Sequence, residues 1–503
     1  MKLNRIVFAL GLAFVWAPIV SAQGFHKGVA DQPAAGSMFV VPSRIFLSGG
    51  DSFTAYRGQL FAQLNRNQPD SEVVSVEFFM FPRDEDAPQD TPPVFLLNGG
   101  PGFPGLSSDD LKKLVPRFRD EFLGFTDVVV VGQRGIGSSL PNTTIRVKRP
   151  PVLSAGNESG VTAFQDSMKS ERKFWLNQGV DLSGFTADQA ATDVMEIATG
   201  LGYQKITLFG GSFGSHWGMT VMRKHPEIVA RAVLHGVEGP DHTWDHPGWI
   251  WNVYRRVAED AEGADNLAGH IPDGGIIAAV ENLVQRASES PIEVLVDEKR
   301  DRKVLIDVAK MKMLARGYSR DLKNWPAEVL EMHLGQFKTA GQRLGMMTLS
   351  IGTMNSTASF WALDSSSGIT AKRRQEFEAD PALDTIASTF DFYAWGSPVW
   401  QVDAGDDFRS NFKTQIPTLI VQGTWDLSTP YENALELAPF FENGKMVTVK
   451  RGSHGAVREA VSQSKEFAES LTEFFRTGNM DDVPDLVELP VPTFKSVSES
   501  KND

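Results

Sequence analysis

Three residues, in the order Ser212, Asp426 and His454, could together hydrolyse an acyl bond. Ser212 sits in Gly210-Gly211-Ser212-Phe213-Gly214, a G-x-S-x-G pattern whose small residues permit a strained turn that projects the hydroxyl. The pattern alone is a weak signal, and its context strengthens it. Ile206-Thr207-Leu208-Phe209 before it reads as a buried strand, and Ser215 to His225 after it reads as a helix. A serine hydroxyl needs a base, and the base needs an orienting acid. Among nine histidines, His454 alone lies beyond the last strand patterns, in the small-residue loop Gly452-Ser453-His454-Gly455. Asp426 stands just past the run Thr418-Leu419-Ile420-Val421, whereas Asp403, Asp406 and Asp407 precede it, at the wrong end. The oxyanion would be met by the backbone N–H of Phe213 and by that of Gly99 or Gly100, in a turn that also follows a strand pattern.

Two rival chemistries are disfavoured. Gly100-Pro101-Gly102-Phe103-Pro104-Gly105 fits the dinucleotide pattern G-x-G-x-x-G. Its prolines lack the N–H groups a pyrophosphate uses, and Asp127 begins the next strand where a ribose-binding acid should end it. His242 and His246 have the spacing of metal ligands on a helix, but no H-E-x-x-H glutamate accompanies them and Pro247 follows at once. They read as polar loop residues at the mouth of a cleft. No metal and no cofactor is implied.

The positioning elements read as an α/β sheet. Short apolar runs at 73–79, 94–97, 128–131, 206–209, 232–234 and 418–421 are β-branched or aromatic and end at turns. Thr186 to Gly200 reads as a helix between two of them, with Thr186 as N-cap, and Lys445 to Lys450 as a short strand leading to His454. This alternation implies a mostly parallel sheet. From 241 to 405 helical patterns dominate, Pro326 to Gly345 among them, and seven of the eleven tryptophans fall there. That is the pattern of a helical insertion in the sheet. The segment after about 480 reads as a loosely ordered end.

The whole-chain features set limits. A net charge of −14 argues against nucleic acid as a partner. Lys2 and Arg5, the apolar stretch Ile6 to Trp16 and the small residues Val20-Ser21-Ala22 read as an export signal over residues 1–22. The expected mature chain is exported, periplasmic or secreted, without a membrane anchor. The absence of cysteine removes disulfides, thiolate nucleophiles and lipidated cysteine as options.

With these residues in place, the chain resembles α/β-hydrolases of the prolyl iminopeptidase and tripeptidyl aminopeptidase kind, a serine peptidase family. The resemblance rests on NGGPG at 98–102, GQRGIGSS at 132–139, GGSFGS at 210–215, HPEIVARAVLHGV at 225–237, QGTWDLSTP at 422–430 and GSHG at 452–455. Gly132 stands where the family motif D-Q-R-G begins with aspartate, and the cap cysteines common in exported members are absent.

The resemblance implies an α/β-hydrolase core over 23–240 and 406–480, a helical cap over 241–405 inserted after the sixth strand, and a tail over 481–503. It implies a triad of Ser212, Asp426 and His454 and release of residues from free peptide N-termini. Such an enzyme needs a carboxylate for the substrate's α-ammonium. Glu238, where the cap begins, is the first candidate, with Asp241 and Asp245 next. A carboxylesterase using the same triad on small esters remains open, as does a catalytically silent fold used for binding.

Overall fold

The computed structural model describes residues 7–8, 33–47, 50–103, 105–151, 158–317, 322–348 and 352–498. The export signal read over 1–22 lies outside them, except for Val7–Phe8, which runs parallel to Phe39–Val40 at the sheet edge.

Runs of β-branched and aromatic residues build one large sheet. Its strands are β1 (Ser37–Phe46), β2 (Ser52–Gln63), β3 (Val73–Phe81), β4 (Val94–Leu97), β5 (Val128–Val131), β6 (Ile206–Ser212), β7 (Val229–Val237), β8 (Thr418–Gly423), β9 (Gly444–Lys450) and β10 (Leu486–Glu488). With Val7–Phe8 beside β1, the spatial order is β1-β2-β3-β5-β4-β6-β7-β8-β9-β10. β1, β2, β3 and β5 pair antiparallel in turn, and all pairs from β5 to β10 are parallel.

The parallel strands are buried on both faces, which is why they read as continuous apolar runs. Val128, Val129, Val130 and Val131 are all fully buried, each contributing roughly 1.5–3 kcal/mol of hydrophobic stabilisation. Alternation sends Val129 and Val131 to one layer with Phe95, Leu97 and Leu208. Val128 and Val130 go to the other with Val94 and Leu419. Helices α1 (Ser108–Phe118) and Lys465–Thr477 cover the second face, while α2 (Ala187–Gly200) and α3 (Phe213–Lys224) cover the first. Thr186 caps α2, its side chain accepting from the Gln189 N–H.

The insertion leaves the sheet after β7, the seventh of these strands rather than the sixth. The hairpin β1–β2 adds two strands to the five apolar runs read before the insertion, its half-buried residues carrying a weaker apolar signal than the central strands. Nor is the insertion one body. Helices from Pro247 to Leu344 enclose a core of their own, including Trp251, Trp325 and Leu330. The later part, with Trp361 and Trp400, joins the main core instead. Thr353–Thr357 pairs antiparallel with Thr144–Lys148, a strand from before the elbow, so residues on both sides of β6 build the cover. The helix expected over 326–345 is two, Trp325–His333 and Lys338–Thr348, broken where Gly335 takes φ 85°.

The segment from 480 to 498 is seated on the rest of the fold. β10 extends the sheet, Phe494 packs on Trp425 with ring centroids 6.3 Å apart, and Glu331 accepts from Lys495 Nζ, Ser498 N and Ser498 Oγ. Burying Phe494 and Val497 against the insertion outweighs the polar composition of this segment. Among the described residues no helix is long and apolar enough to cross a membrane.

Candidate active site

Ser212 ends β6 and opens α3 with φ 56° and ψ −134°, a conformation rarely taken by a residue with a side chain. Its neighbours explain how the turn closes. A Cβ on Gly210 would stand 2.3 Å from the Gly214 carbonyl oxygen, and one on Gly214 would stand 2.0 Å from that of Leu97. The glycines are therefore required by close backbone approach, as the sequence pattern suggested. Ser215, one turn into α3, donates to the Ser212 carbonyl at 2.6 Å and accepts from the Glu238 N–H at 2.9 Å. It ties the elbow to the first residue after β7.

Asp426 follows β8 and is completely buried. Its carboxylate accepts from the N–H groups of Ser428 (2.8 Å) and Thr429 (3.0 Å), from Thr429 Oγ1 (2.8 Å) and from Gln422 Nε2 (3.2 Å). His454 Nδ1 lies 2.8 Å from Asp426 Oδ2 and 3.0 Å from Oδ1. A buried carboxylate so provided with donors has its desolvation cost offset. It also fixes the imidazole by one nitrogen, setting the tautomer in which Nδ1 carries the proton. Gly236, at φ 48°, comes so close that a Cβ there would lie 3.0 Å from His454 Cε1.

Ser212 and His454 line one cavity of about 600 Å³ at the carboxyl ends of the strands, together with Gly99, Gly100, Glu238 and Asp245. A Cβ on Gly99 would sit 3.0 Å from Ser212 Cβ, so this backbone lies directly against the serine. Phe213 is the first residue of α3, whose leading N–H groups have no acceptor within the helix.

The acidic candidates part company. Burial pushes the Glu238 carboxyl well above the usual carboxylate range, and Asp364 and Asp245 add repulsion. Asp364, on α4 (Ala358–Ser367), is buried and raised to about 7 chiefly by desolvation, although Ser397 Oγ donates to it at 2.9 Å. Asp241 does not join them. It accepts from Thr370 N at 2.7 Å and Thr370 Oγ1 at 2.9 Å, and pairs with Arg373 Nε at 3.1 Å. It anchors the start of helix Ala371–Glu378 and does not stand among the residues that line the cavity of Ser212.

His242 and His246 both pack on Trp249 but face different carboxylates, Glu436 and Asp380. His242 lies 3.2 Å from Glu436, and His246 stacks on Trp249 with centroids 4.5 Å apart. Among the described residues no group of three or more His, Cys, Asp or Glu converges as a metal site requires.

Several contributors were not foreseen. Thr429 lies within QGTWDLSTP, and a Thr three residues past an Asp could have signalled the turn that caps Asp426. Ser215 and Gln422 stand in quoted motifs without an evident task. Asp364 carried no signal, because only packing of the insertion brings it near Glu238.

Known proteins match parts of the chain. Residues 92–269 match the alpha/beta hydrolase fold family, and residues 393–487 match the TAP-like proteins. Serine protease Hip1 of Mycobacterium tuberculosis and that of Mycobacterium bovis are each 27% identical over 199 residues, 37% of this chain and 36% of theirs. The match thus spans little more than a third of the curated relatives' length. Among solved structures, the proline iminopeptidase-related protein of Thermus thermophilus is 16% identical, with 82% of this chain and 94% of that one covered and a TM-score of 0.34. An esterase of Exiguobacterium antarcticum is 13% identical, with 80% and 97% covered and a TM-score of 0.33. The chain has the α/β-hydrolase fold, and its two matched segments are similar to the alpha/beta hydrolase fold family and to the TAP-like proteins.

Proposed function

We propose that this chain is an aminopeptidase that releases residues or short peptides from free N-termini through an acyl-enzyme on Ser212. The observation that carries the reading is Glu238: a buried carboxyl in the same cavity as Ser212, with Asp245 beside it in the lining. Burying such a group is costly unless a cation meets it. A substrate's α-ammonium supplies that cation, and the N-terminal residues then extend from Glu238 towards Ser212.

In this reading His454 Nε2 takes the proton of Ser212 Oγ as the hydroxyl attacks the carbonyl carbon. Asp426, hydrogen-bonded to Nδ1, steadies the imidazolium. The N–H groups of Phe213 and of Gly99 or Gly100 receive the oxyanion. His454 then protonates the departing amine, and a water activated by the same imidazole hydrolyses the ester of Ser212. The export signal in the first residues supports release of a mature chain into the periplasm or medium, which N-terminal sequencing of the native protein checks.

The test is hydrolysis of peptidyl-aminomethylcoumarins with free and acetylated N-termini, with an acyl ester alongside and Ser212→Ala as control. Cleavage confined to free N-termini and lost in the variant is expected. Indifference to acetylation, or ester cleavage alone, would overturn the aminopeptidase reading and leave a carboxylesterase. No Ser212-dependent turnover of any of them would leave a fold used for binding.

A further inference from the structure

The stretch Asn98 to Gly102 beside Ser212 has Pro101 as its one backbone restraint and glycine at three of its five positions. Between Asn98 and Gly105 the loop carries Gly99, Gly100, Gly102 and Gly105, of which Gly100 and Gly102 have φ 119° and 105°. Glycines permit these angles but restrain nothing. Gly99 cannot acquire a side chain to brace the loop, because a Cβ would stand 3.0 Å from that of Ser212. The brace must come from outside.

Gln133, in the turn after β5, is buried and reaches this loop with both ends of its carboxamide. Its Oε1 accepts from the Gly102 N–H at 2.8 Å, and its Nε2 donates to the carbonyls of Asn98 (3.2 Å) and Gly99 (3.1 Å). Those two carbonyls belong to the peptide units whose N–H groups are those of Gly99 and Gly100. A trans peptide is planar, with C=O and N–H pointing in opposite directions. Fixing each oxygen towards Gln133 therefore aims each N–H away from it.

The residues flanking Gln133 are anchored in turn. Gly132 N donates to the Glu77 carbonyl at 2.8 Å. Arg134 forms a buried two-pronged pair with Asp193, at 2.7 Å for both contacts, and its Nη1 donates to the carbonyls of Leu64 and Gly184 at 2.6 Å.

We propose that Gln133 is a positioning residue for the oxyanion hole, fixing the peptide planes that carry the Gly99 and Gly100 N–H groups. This role rests on the acyl-transfer reading above. Oxyanion donors act through prior alignment, and losing one outright costs about 10²–10³ in kcat in a well-studied protease. A donor left in place but misaligned costs less, about 10- to 100-fold.

The test uses Gln133→Glu and Gln133→Met in the full mature chain. Glu keeps an acceptor for Gly102 but loses both donors, whereas Met loses all three bonds. Both variants should lower kcat on a free-N-terminal peptidyl-aminomethylcoumarin by about 10- to 100-fold with KM little changed. Inhibition by a peptide boronic acid, whose tetrahedral adduct puts an oxygen in the hole, should weaken by the same factor. Affinity for a product peptide should hold in both variants. A carboxylate at this buried position faces two carbonyl oxygens and lowers the stability of Gln133→Glu, so kcat is read well below the melting temperature of each. Wild-type kcat and boronate affinity in Gln133→Glu, or a loss wholly explained by KM and melting temperature, would overturn the role of Gln133 alone. A wild-type chain whose Ser212 does not react with a fluorophosphonate would overturn the acyl-transfer reading itself.

Discussion

Replacing Glu238 by Gln should separate substrate recognition from chemistry. The carboxyl is buried at the cavity wall and its N–H is tied through Ser215 to the elbow, so the isosteric amide keeps the fold and removes only the charge. A hydrogen bond to a charged partner contributes about 1.5–3 kcal/mol, which corresponds to a loss of roughly 10- to 150-fold in kcat/KM for free N-termini. Turnover of an acyl ester should stay within about twofold, because such a substrate offers no ammonium for the carboxylate to hold.

The pH dependence has a definite sign. Desolvation raises the Glu238 carboxyl well above the usual carboxylate range, so the charged form that receives an ammonium appears only at higher pH than for an exposed glutamate. The α-ammonium is itself lost above roughly pH 8. Activity on free N-termini should therefore be bell-shaped, and Glu238→Gln should remove the part of the acid limb absent from the ester profile. Stability moves the opposite way. A carboxyl raised by folding binds its proton more tightly in the native state, so its contribution falls as pH rises from the unfolded pKa through the folded one. Glu238→Gln should accordingly raise the melting temperature at about pH 8 while lowering activity. Equal losses on peptide and ester, with a lowered melting temperature, would refute the assignment.

Further substitutions test the supporting structure. Asp426→Asn should reduce kcat by about 10⁴-fold through loss of the correct imidazole tautomer, read on the ester to keep recognition out of the measurement. Thr429→Val removes the 2.8 Å bond to Asp426 and should cost about 1 kcal/mol, a several-fold fall in kcat. Gly214→Ala forces a Cβ to 2.0 Å from the Leu97 carbonyl oxygen and should destabilise the chain by several kcal/mol, seen as a lowered denaturation midpoint. Truncation after Gly478 removes β10, Phe494 and Val497, and should speed hydrogen exchange in the helices around Trp325 and Leu330.

What the sequence made legible was local. The elbow could be read because its glycines and serine answer to contacts within a few residues, and β4, β5, β6 and β8 because strands buried on both faces are apolar throughout. The chain order of Ser212, Asp426 and His454 followed from strand positions. What stayed hidden depended on distant pairing. Nothing local to Thr144–Lys148 says that Thr353–Thr357 will lie beside it, so the insertion read as one helical body. Asp241 looked like a cavity acid until helix Ala371–Glu378 claimed it as an anchor. The tail read as loose because its composition is polar, yet Phe494 and Val497 suffice to seat it. Gln133 was visible within a motif, but its task appears only when the loop at 98–102 is set beside it.

The most direct test of acyl transfer at Ser212 is peptide mapping by mass spectrometry after reaction with a fluorophosphonate, with and without a competing peptide. A single adduct on Ser212, slowed by a peptide with a free N-terminus and not by its acetylated form, is the expected result. An adduct elsewhere, or none at all, would contradict acyl transfer at Ser212, and equal protection by both peptides would contradict recognition of free N-termini.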